Sequence, residues 1–256
     1  SLFYDVSAWT FPLAFNVNYS YTNGLNKASV SRLIGDEVES LEKLEGNVNS
    51  KSDYAYLFEP HEYYAQAAVY NLIKEGLRVK TATRKFSIGN KEYDYGTYLI
   101  PVQNQSMSSE GIYNKLIEVS QKYNVDFESQ STGITDGIDL GSDYFIIVKE
   151  PKIGLIVGDG VRSYDAGEIW HLLDTRYDIP ISKLDVDDLR SIDLDKYTHI
   201  ILPDYNGRKL NSDQLTTYIN NGGNLIAYRN SVKWVSNNLS EIEFLSNDIK
   251  ARGVSF

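Results

Sequence analysis

The sequence predicts an α/β protein, with an open, mostly parallel sheet carrying helices on both faces, preceded by a smaller α/β unit. Three observations predict it. The stretch KIGLIVGDGVRSYDAGEIWHLLD (152–174) reads as a strand, a loop and a helix in succession. A second unit of the same kind, NLIAYRNSVKWV, occupies 224–235. Between and before them, short apolar runs alternate with helical patterns of about 10–15 residues, the mark of βαβ units.

The elements follow in order. DYAYLFEP reads as a strand stopped by Pro60. HEYYAQAAVYNLIKEGL reads as a helix, because Tyr64, Ala67, Ala68 and Leu72 recur at helical spacing and Gly76 stands where a C-terminal cap is expected. RVKTATRKFSIGNKEYDYGTYLIPV supplies two or three strands, with IGNKEY as a hairpin turn. A second helix follows in SSEGIYNKLIEVSQKYNV, with Ile112, Leu116, Ile117 and Val119 on its apolar face, and DYFIIVKEP (143–151) closes the unit. KIGLIVG is a continuous apolar run, as a strand buried on both faces requires. It leads to a helix in YDAGEIWHLLDTRY, a short strand and turn in ISKLDVDDL, and a buried strand in THIILPD that ends at Pro203. NSDQLTTYINNGG is a helix with an Asn or Ser cap and closing glycines, and NLIAYRNS is the last strand. The domain boundaries read as a leading segment and connector over 1–50, a small α/β unit over 51–150 and the parallel α/β domain over 151–256; 51–256 can also form one composite unit.

Composition narrows the function. A net charge of -10 excludes nucleic acid and anionic membrane surfaces as expected partners, since both need clustered Lys and Arg. With no cysteine there is no disulfide, thiolate metal site or thiol nucleophile, and three histidines leave few zinc ligands. Twenty tyrosines suit half-buried strand faces, or a surface that contacts carbohydrate or peptide. The opening LFYDVSAWTFPLAF is aromatic and apolar without the form of a signal peptide, so the chain reads as a piece of a longer one.

Several residues are candidates for chemistry. Gly158 and Gly160 begin a G-x-G-x-x-G pattern that breaks at Ser163, so they read as a tight turn, and Asp159 would repel a phosphate. His61-Glu62 lacks metal-ligand spacing; His171 and His199 read as structural histidines. Ser231 follows a strand and is a weak candidate nucleophile, because Arg229, Asn230 and Val232 supply none of the glycines an elbow normally needs. The acids Asp185, Asp187, Asp188, Asp193 and Asp195 lack the spacing of a calcium loop and read as a solvated turn. A ligand crevice is expected beyond the C-terminal strand ends, near Asp159, Val161, Arg162, Tyr205, Arg229 and Asn230.

Two motif sets carry a resemblance. FYDVSAWTFPLAF (3–15) resembles the stretch that follows the catalytic domain in large bacterial zinc carboxypeptidase-like proteins. STGITDGIDLGS, PKIGLIVGDGVRSYDAGEIWHLLD, THIILPD and GGNLIAYRNSVKWV, in that order, resemble the class I glutamine amidotransferase-like (flavodoxin-like) domain at the C-terminus of those proteins. The resemblance implies a G-x-C-x-G elbow where this chain has Ala227 to Ser231, with the cysteine's position falling near Arg229 and Asn230. Arginine stays protonated and cannot form an acyl intermediate, so no glutaminase activity is expected. The chain lacks the H-x-x-E pair of the family's zinc site. The resemblance therefore implies a catalytically inactive accessory region, with zinc held by an upstream peptidase domain of the same polypeptide and no cofactor in this chain. It also implies an extracytoplasmic location. Phe3, Tyr4, Trp9, Phe11 and Phe15 would contact the missing domain, and a homo-oligomer is a further possibility. A binding module using the crevice, and a hydrolase using Ser231, stand as alternatives.

Overall fold

A computed structural model describes residues 45–240, together with Gly35 and Phe244. The aromatic opening and nearly all of the connector lie outside the described residues. Residues 45–240 fall within one compact unit, Leu44–Glu243.

The first half is built on an antiparallel sheet of five strands: β1 (Ala55–Phe58), β2 (Lys80–Ala82), β5 (Tyr98–Pro101), β6 (Glu128–Gln130) and β7 (Phe145–Ile147), in the order β6-β1-β5-β2-β7. Alternation along these strands divides the core. Tyr56, Phe58, Tyr98 and Ile100 face the helices α1 (Ala65–Lys74) and α2 (Ser109–Tyr123), packing on Ala68, Leu72, Ile112 and Leu116. Ala55, Leu57 and Leu99 face the other way, under a hairpin of β3 (Phe86–Ile88) and β4 (Lys91–Tyr93) and the loop bearing Ile138 and Leu140. Phe86 and Tyr93 lie opposite each other on the hairpin, with ring centroids 4.9 Å apart and planes 9° from parallel. The sequence expectation of two or three strands between 78 and 102 gives way to four, because β2 and β5 join the main sheet while β3 and β4 form a separate hairpin, which Ser87 bridges to Asp136. β6 was not expected: its three residues lack an apolar run, and it is a strand because it pairs with β1.

Helix ends follow their local chemistry. α1 closes in a Schellman motif, with the Gly76 N–H donating to Ile73 O (2.9 Å) and the Leu77 N–H to Leu72 O (3.0 Å). Ser108 caps α2 by accepting the Gly111 N–H at 3.2 Å. In the apolar pattern of α2, Ile112, Leu116 and Val119 are buried, and Ile117 packs at the edge.

The second half is a four-stranded sheet that is parallel throughout: β8 (Ile153–Val157), β9 (Ile181–Asp185), β10 (His199–Leu202) and β11 (Asn224–Ala227), ordered β11-β10-β8-β9. α3 (Ser163–Trp170) sets Ala166 against Leu155 and Ile201 on one face. It runs on into a π-helical turn, His171–Arg176, so the single helix expected over this stretch changes pitch midway. α4 (Ser212–Asn220) sets Leu215 and Tyr218 against Ile156, Ile200 and Leu202 on the opposite face, with Trp234 of α5 (Asn230–Asn238) packed beside them. Asn211 is the cap of α4, accepting from the N–H groups of Asp213 (3.0 Å) and Gln214 (3.3 Å). No helix among the described residues is long and apolar enough to cross a membrane.

The two sheets meet through side chains around the segment that follows the π-helical turn. Asp178 accepts from the Tyr123 hydroxyl and pairs with Lys122, both at 2.9 Å. The Arg176 guanidinium donates to the Tyr63 hydroxyl at 3.0 Å, and Tyr63, Tyr64 and Tyr177 form a triangle of edge-on rings. The Lys122 and Tyr123 hydrogen bonds hold the Asp178 carboxyl below its ordinary range.

Glu62, just before α1, accepts the Asp126 N–H at 3.2 Å. Burial, reinforced by the nearby Asp126 and Glu59 charges, pushes its carboxyl from 4.5 up to about 7. The folded chain therefore keeps this proton up to near neutrality, whereas the unfolded chain releases it near 4.5. Its contribution to stability is complete below the unfolded value and is lost as pH rises through about 7. Glu62→Gln is expected to raise the melting temperature at about pH 8 and leave it unchanged near pH 4, removing at most about 2–3 kcal/mol of pH dependence. Thermal denaturation of both proteins across that range checks it.

Candidate functional site

The C-terminal ends of β8, β10 and β11 converge on one edge, and the order β9-β8-β10-β11 places a topological switch point between β8 and β10. In a sheet of this kind the crevice opens there. In this chain it is laced shut. The Arg162 N–H donates to Asp204 O at 2.8 Å, the Asn206 N–H donates to Gly160 O at 2.8 Å, and Val161 bridges Tyr205 in antiparallel fashion. Gly160 permits this approach. Its φ is +79°, and a Cβ there would lie 2.6 Å from the Gly207 backbone.

Arg229 stands between β11 and α5 with φ +52° and ψ −122°. That conformation lies outside the left-handed helical basin and is sparsely populated for any residue with a Cβ. It is the sharp, strained strand-to-helix turn on which a nucleophile elbow is built. The side chain is a guanidinium instead of a nucleophile, 60% exposed, with Nε 3.7 Å from Asp165 Oδ2. This Asp165 oxygen is buried and makes no hydrogen bond, so Arg229 is its only counter-charge among the described residues.

Two further groups beside this turn are occupied by contacts within the chain. An elbow stabilises an oxyanion with the backbone N–H of the residue after the nucleophile. Here that group, the Asn230 N–H, donates to Asp204 Oδ1 at 3.2 Å. The hydroxyl of Ser231, two residues beyond Arg229, is 0% exposed and donates to Pro203 O. Among the described residues no histidine hydrogen-bonds to it: His199 begins β10, at the opposite end of the sheet, where Nδ1 contacts the Thr198 hydroxyl at 2.9 Å. His171 is exposed in the π-helical turn, and His61 is exposed near Glu59.

The remaining crevice residues separate into two groups. Val161 lines an apolar hollow of about 350 Å³ with Val157, Ala166, Trp170 and Lys183. Tyr205 and Asn230 line another, of about 290 Å³, with Lys233, Trp234 and Asn237. The Tyr205 ring sits in the core, and its hydroxyl accepts from the N–H groups of Lys209 (2.9 Å) and Leu210 (3.2 Å). Arg162 is half-exposed, 3.8 Å from Asp204 Oδ2, and Asp159 pairs outward with Lys209 at 3.3 Å. The acids of the 185–195 region act as turn caps: Asp185 accepts the Asp187 N–H at 2.9 Å and Asp193 the Asp195 N–H at 3.2 Å. Among the described residues no group of three or more His, Asp or Glu side chains is placed to hold a metal ion.

Sequence reasoning missed Asp165 and Asp204. Only the strand-end position of Asp204, directly after Pro203, could have drawn attention to it.

Fold and site together define an α/β protein with a parallel four-stranded sheet and an antiparallel sheet. No protein-family model matches the chain, and no curated protein or solved structure matches it at a significant level.

Asp204→Ala is expected to free both the Asn230 N–H and Arg162, lowering stability by about 1–3 kcal/mol in denaturant unfolding. Arg229→Gly introduced into an Asp165→Asn background is expected to raise stability by about 1 kcal/mol, because glycine relieves the strained turn and no buried charge is left alone.

Proposed function

We propose that this chain is a non-catalytic accessory region of a zinc carboxypeptidase-like metallopeptidase, and that its parallel half is a degenerate class I glutamine amidotransferase-like domain. The reading rests on the order of the sequence motifs. The observation that carries it is the turn at Arg229: an elbow conformation with a guanidinium in the nucleophile's place and a carboxylate, Asp204, on the oxyanion donor. The sheet order β9-β8-β10-β11, a flavodoxin-like order when counted from β8, supports the same reading. The region supports an upstream peptidase domain of the same polypeptide by packing, by shaping its cleft or through oligomerisation, at an extracytoplasmic location. Zinc belongs to that upstream domain, where it would polarise the scissile carbonyl and activate water.

A second reading is a binding module. The hollow beside Trp234 favours it, because Asn230, Asn237 and Lys233 offer amides and a cation around an aromatic ring, as a sugar or peptide would require.

The accessory reading predicts no glutamine hydrolysis and no fluorophosphonate labelling of Ser231 in this chain. It also predicts stoichiometric zinc and peptidase turnover only when the chain is joined to its peptidase domain. Zinc-dependent turnover by this chain alone would overturn it. Saturable stabilisation by oligosaccharides or peptides, abolished in Trp234→Ala, would favour the binding module.

A further inference from the structure

The two edges of the antiparallel sheet differ. Along the β6 edge the chain covers itself. Asn47 O accepts the Phe127 N–H (2.8 Å), the Asn49 N–H donates to Phe127 O (3.2 Å), and the Asn49 side chain accepts the Ser129 N–H at 2.8 Å. β6 also carries a charge, Glu128. The β7 edge has neither device. Its residues, Phe145, Ile146 and Ile147, bear no charge, and the two isoleucines are 51% and 55% exposed. Edge strands are ordinarily covered or charged, because their free backbone groups are a template for pairing with another strand.

The register fixes which groups are free. β7 pairs with β2 at Lys80↔Ile147, Thr81↔Ile146 and Ala82↔Phe145. The flanking bonds run from the Val148 N–H to Val79 O and from the Thr83 N–H to Tyr144 O, both 2.9 Å. Tyr144, Ile146 and Val148 therefore direct their bonding groups at β2 and its flanks, while Phe145, Ile147 and Lys149 direct theirs outward. The Phe145 N–H turns back to Ser142 O at 3.2 Å; the Ile147 N–H and C=O and the Phe145 C=O have no backbone partner among the described residues. Side chains alternate along the strand, so Ile146 shares the face of Val148, toward α1 and α2, and Ile147 that of Phe145. The edge is thus apolar on both faces and open along its backbone.

We propose that β7 pairs in antiparallel fashion with β7 of a second copy of this chain, across a two-fold axis through Ile146. Charge selects this register. It sets Ile147 opposite the partner's Phe145, Tyr144 opposite the partner's Val148, and the exposed Lys149 opposite the partner's Asp143, itself exposed. Opposite charges facing each other across a strand pair are favourable, and like charges are not. Registers centred on Ile147 or Val148 set Pro151, which has no N–H, against Asp143 or Phe145, and one centred on Phe145 sets Ile147 against Asp143. In the chosen register the Ile147 N–H donates to the partner's Phe145 O, and Ile146 packs on its own counterpart. β7 lies outside the parallel half, so the proposal does not rest on the accessory reading.

The test is sedimentation velocity of the full chain across a concentration series. Pairing along so short an edge is of the weak class, and a monomer–dimer equilibrium with a midpoint of roughly 10–100 μM is expected. Ile147→Lys puts a charge on the edge and should abolish the dimer with the melting temperature of the dilute protein unchanged. Asp143→Lys and Lys149→Asp should each be monomeric alone and dimerise when mixed, because mixing restores both opposite-charge pairs. The chain has no cysteine, so Ile146→Cys supplies a single thiol at the axis. Facing Cα atoms of a non-hydrogen-bonded pair lie about 4.5 Å apart, within disulfide reach. Mild oxidation should therefore cross-link Ile146→Cys and leave Ile134→Cys, at a 78% exposed position, uncross-linked. A chain that stays monomeric well above 100 μM (about ten times the tight end of the expected range) overturns the proposal. So does a dimer that survives Ile147→Lys, or a mixture of the charge variants that associates no better than either alone. The mixing experiment decides if Ile147→Lys fails to fold.

Discussion

Asp204 is the residue on which the parallel half depends. Its carbonyl receives the Arg162 N–H from the loop after β8, and its carboxylate receives the Asn230 N–H at the start of α5. Three strand ends are thereby tied at one point. A carboxylate is well placed there, because the N-terminus of a helix presents unsatisfied N–H groups and partial positive charge. The interaction that steadies this edge also occupies the donor that acyl chemistry would need.

The turn at Arg229 shows a related economy. A strained backbone of this kind costs on the order of 1–3 kcal/mol and persists when its surroundings over-determine it. β11 fixes one side through its pairing with β10, and α5 fixes the other through the buried Ser231, whose hydroxyl is taken up by Pro203 O. The guanidinium then extends to the buried Asp165 and gives that carboxylate a counter-charge. Geometry suited to a nucleophile is thus filled by a cation with a structural task.

The two halves keep separate apolar cores, and polar contacts join them at Asp178, Arg176 and the tyrosine triangle. Tyrosine suits this junction because its ring packs while its hydroxyl reaches a charged partner. Several of the twenty tyrosines are accounted for in this way: Tyr63, Tyr64, Tyr123 and Tyr177 at the junction, Tyr56, Tyr93 and Tyr98 on strands.

The sequence by itself determined the succession of strands and helices, the parallel character of the second sheet, and the caps at Gly76 and Asn211. All of these are written in periodicity and turn chemistry, where the decisive neighbours lie within a few residues. β6 escaped because a three-residue strand has no pattern of its own and exists only through pairing with β1. The closed crevice, the blocked Asn230 N–H and the core position of Tyr205 were decided by tertiary structure alone. Each depends on groups distant in the sequence being packed or hydrogen-bonded together. Local sequence fixes which groups are available, and only the packed sheets decide which of them meet.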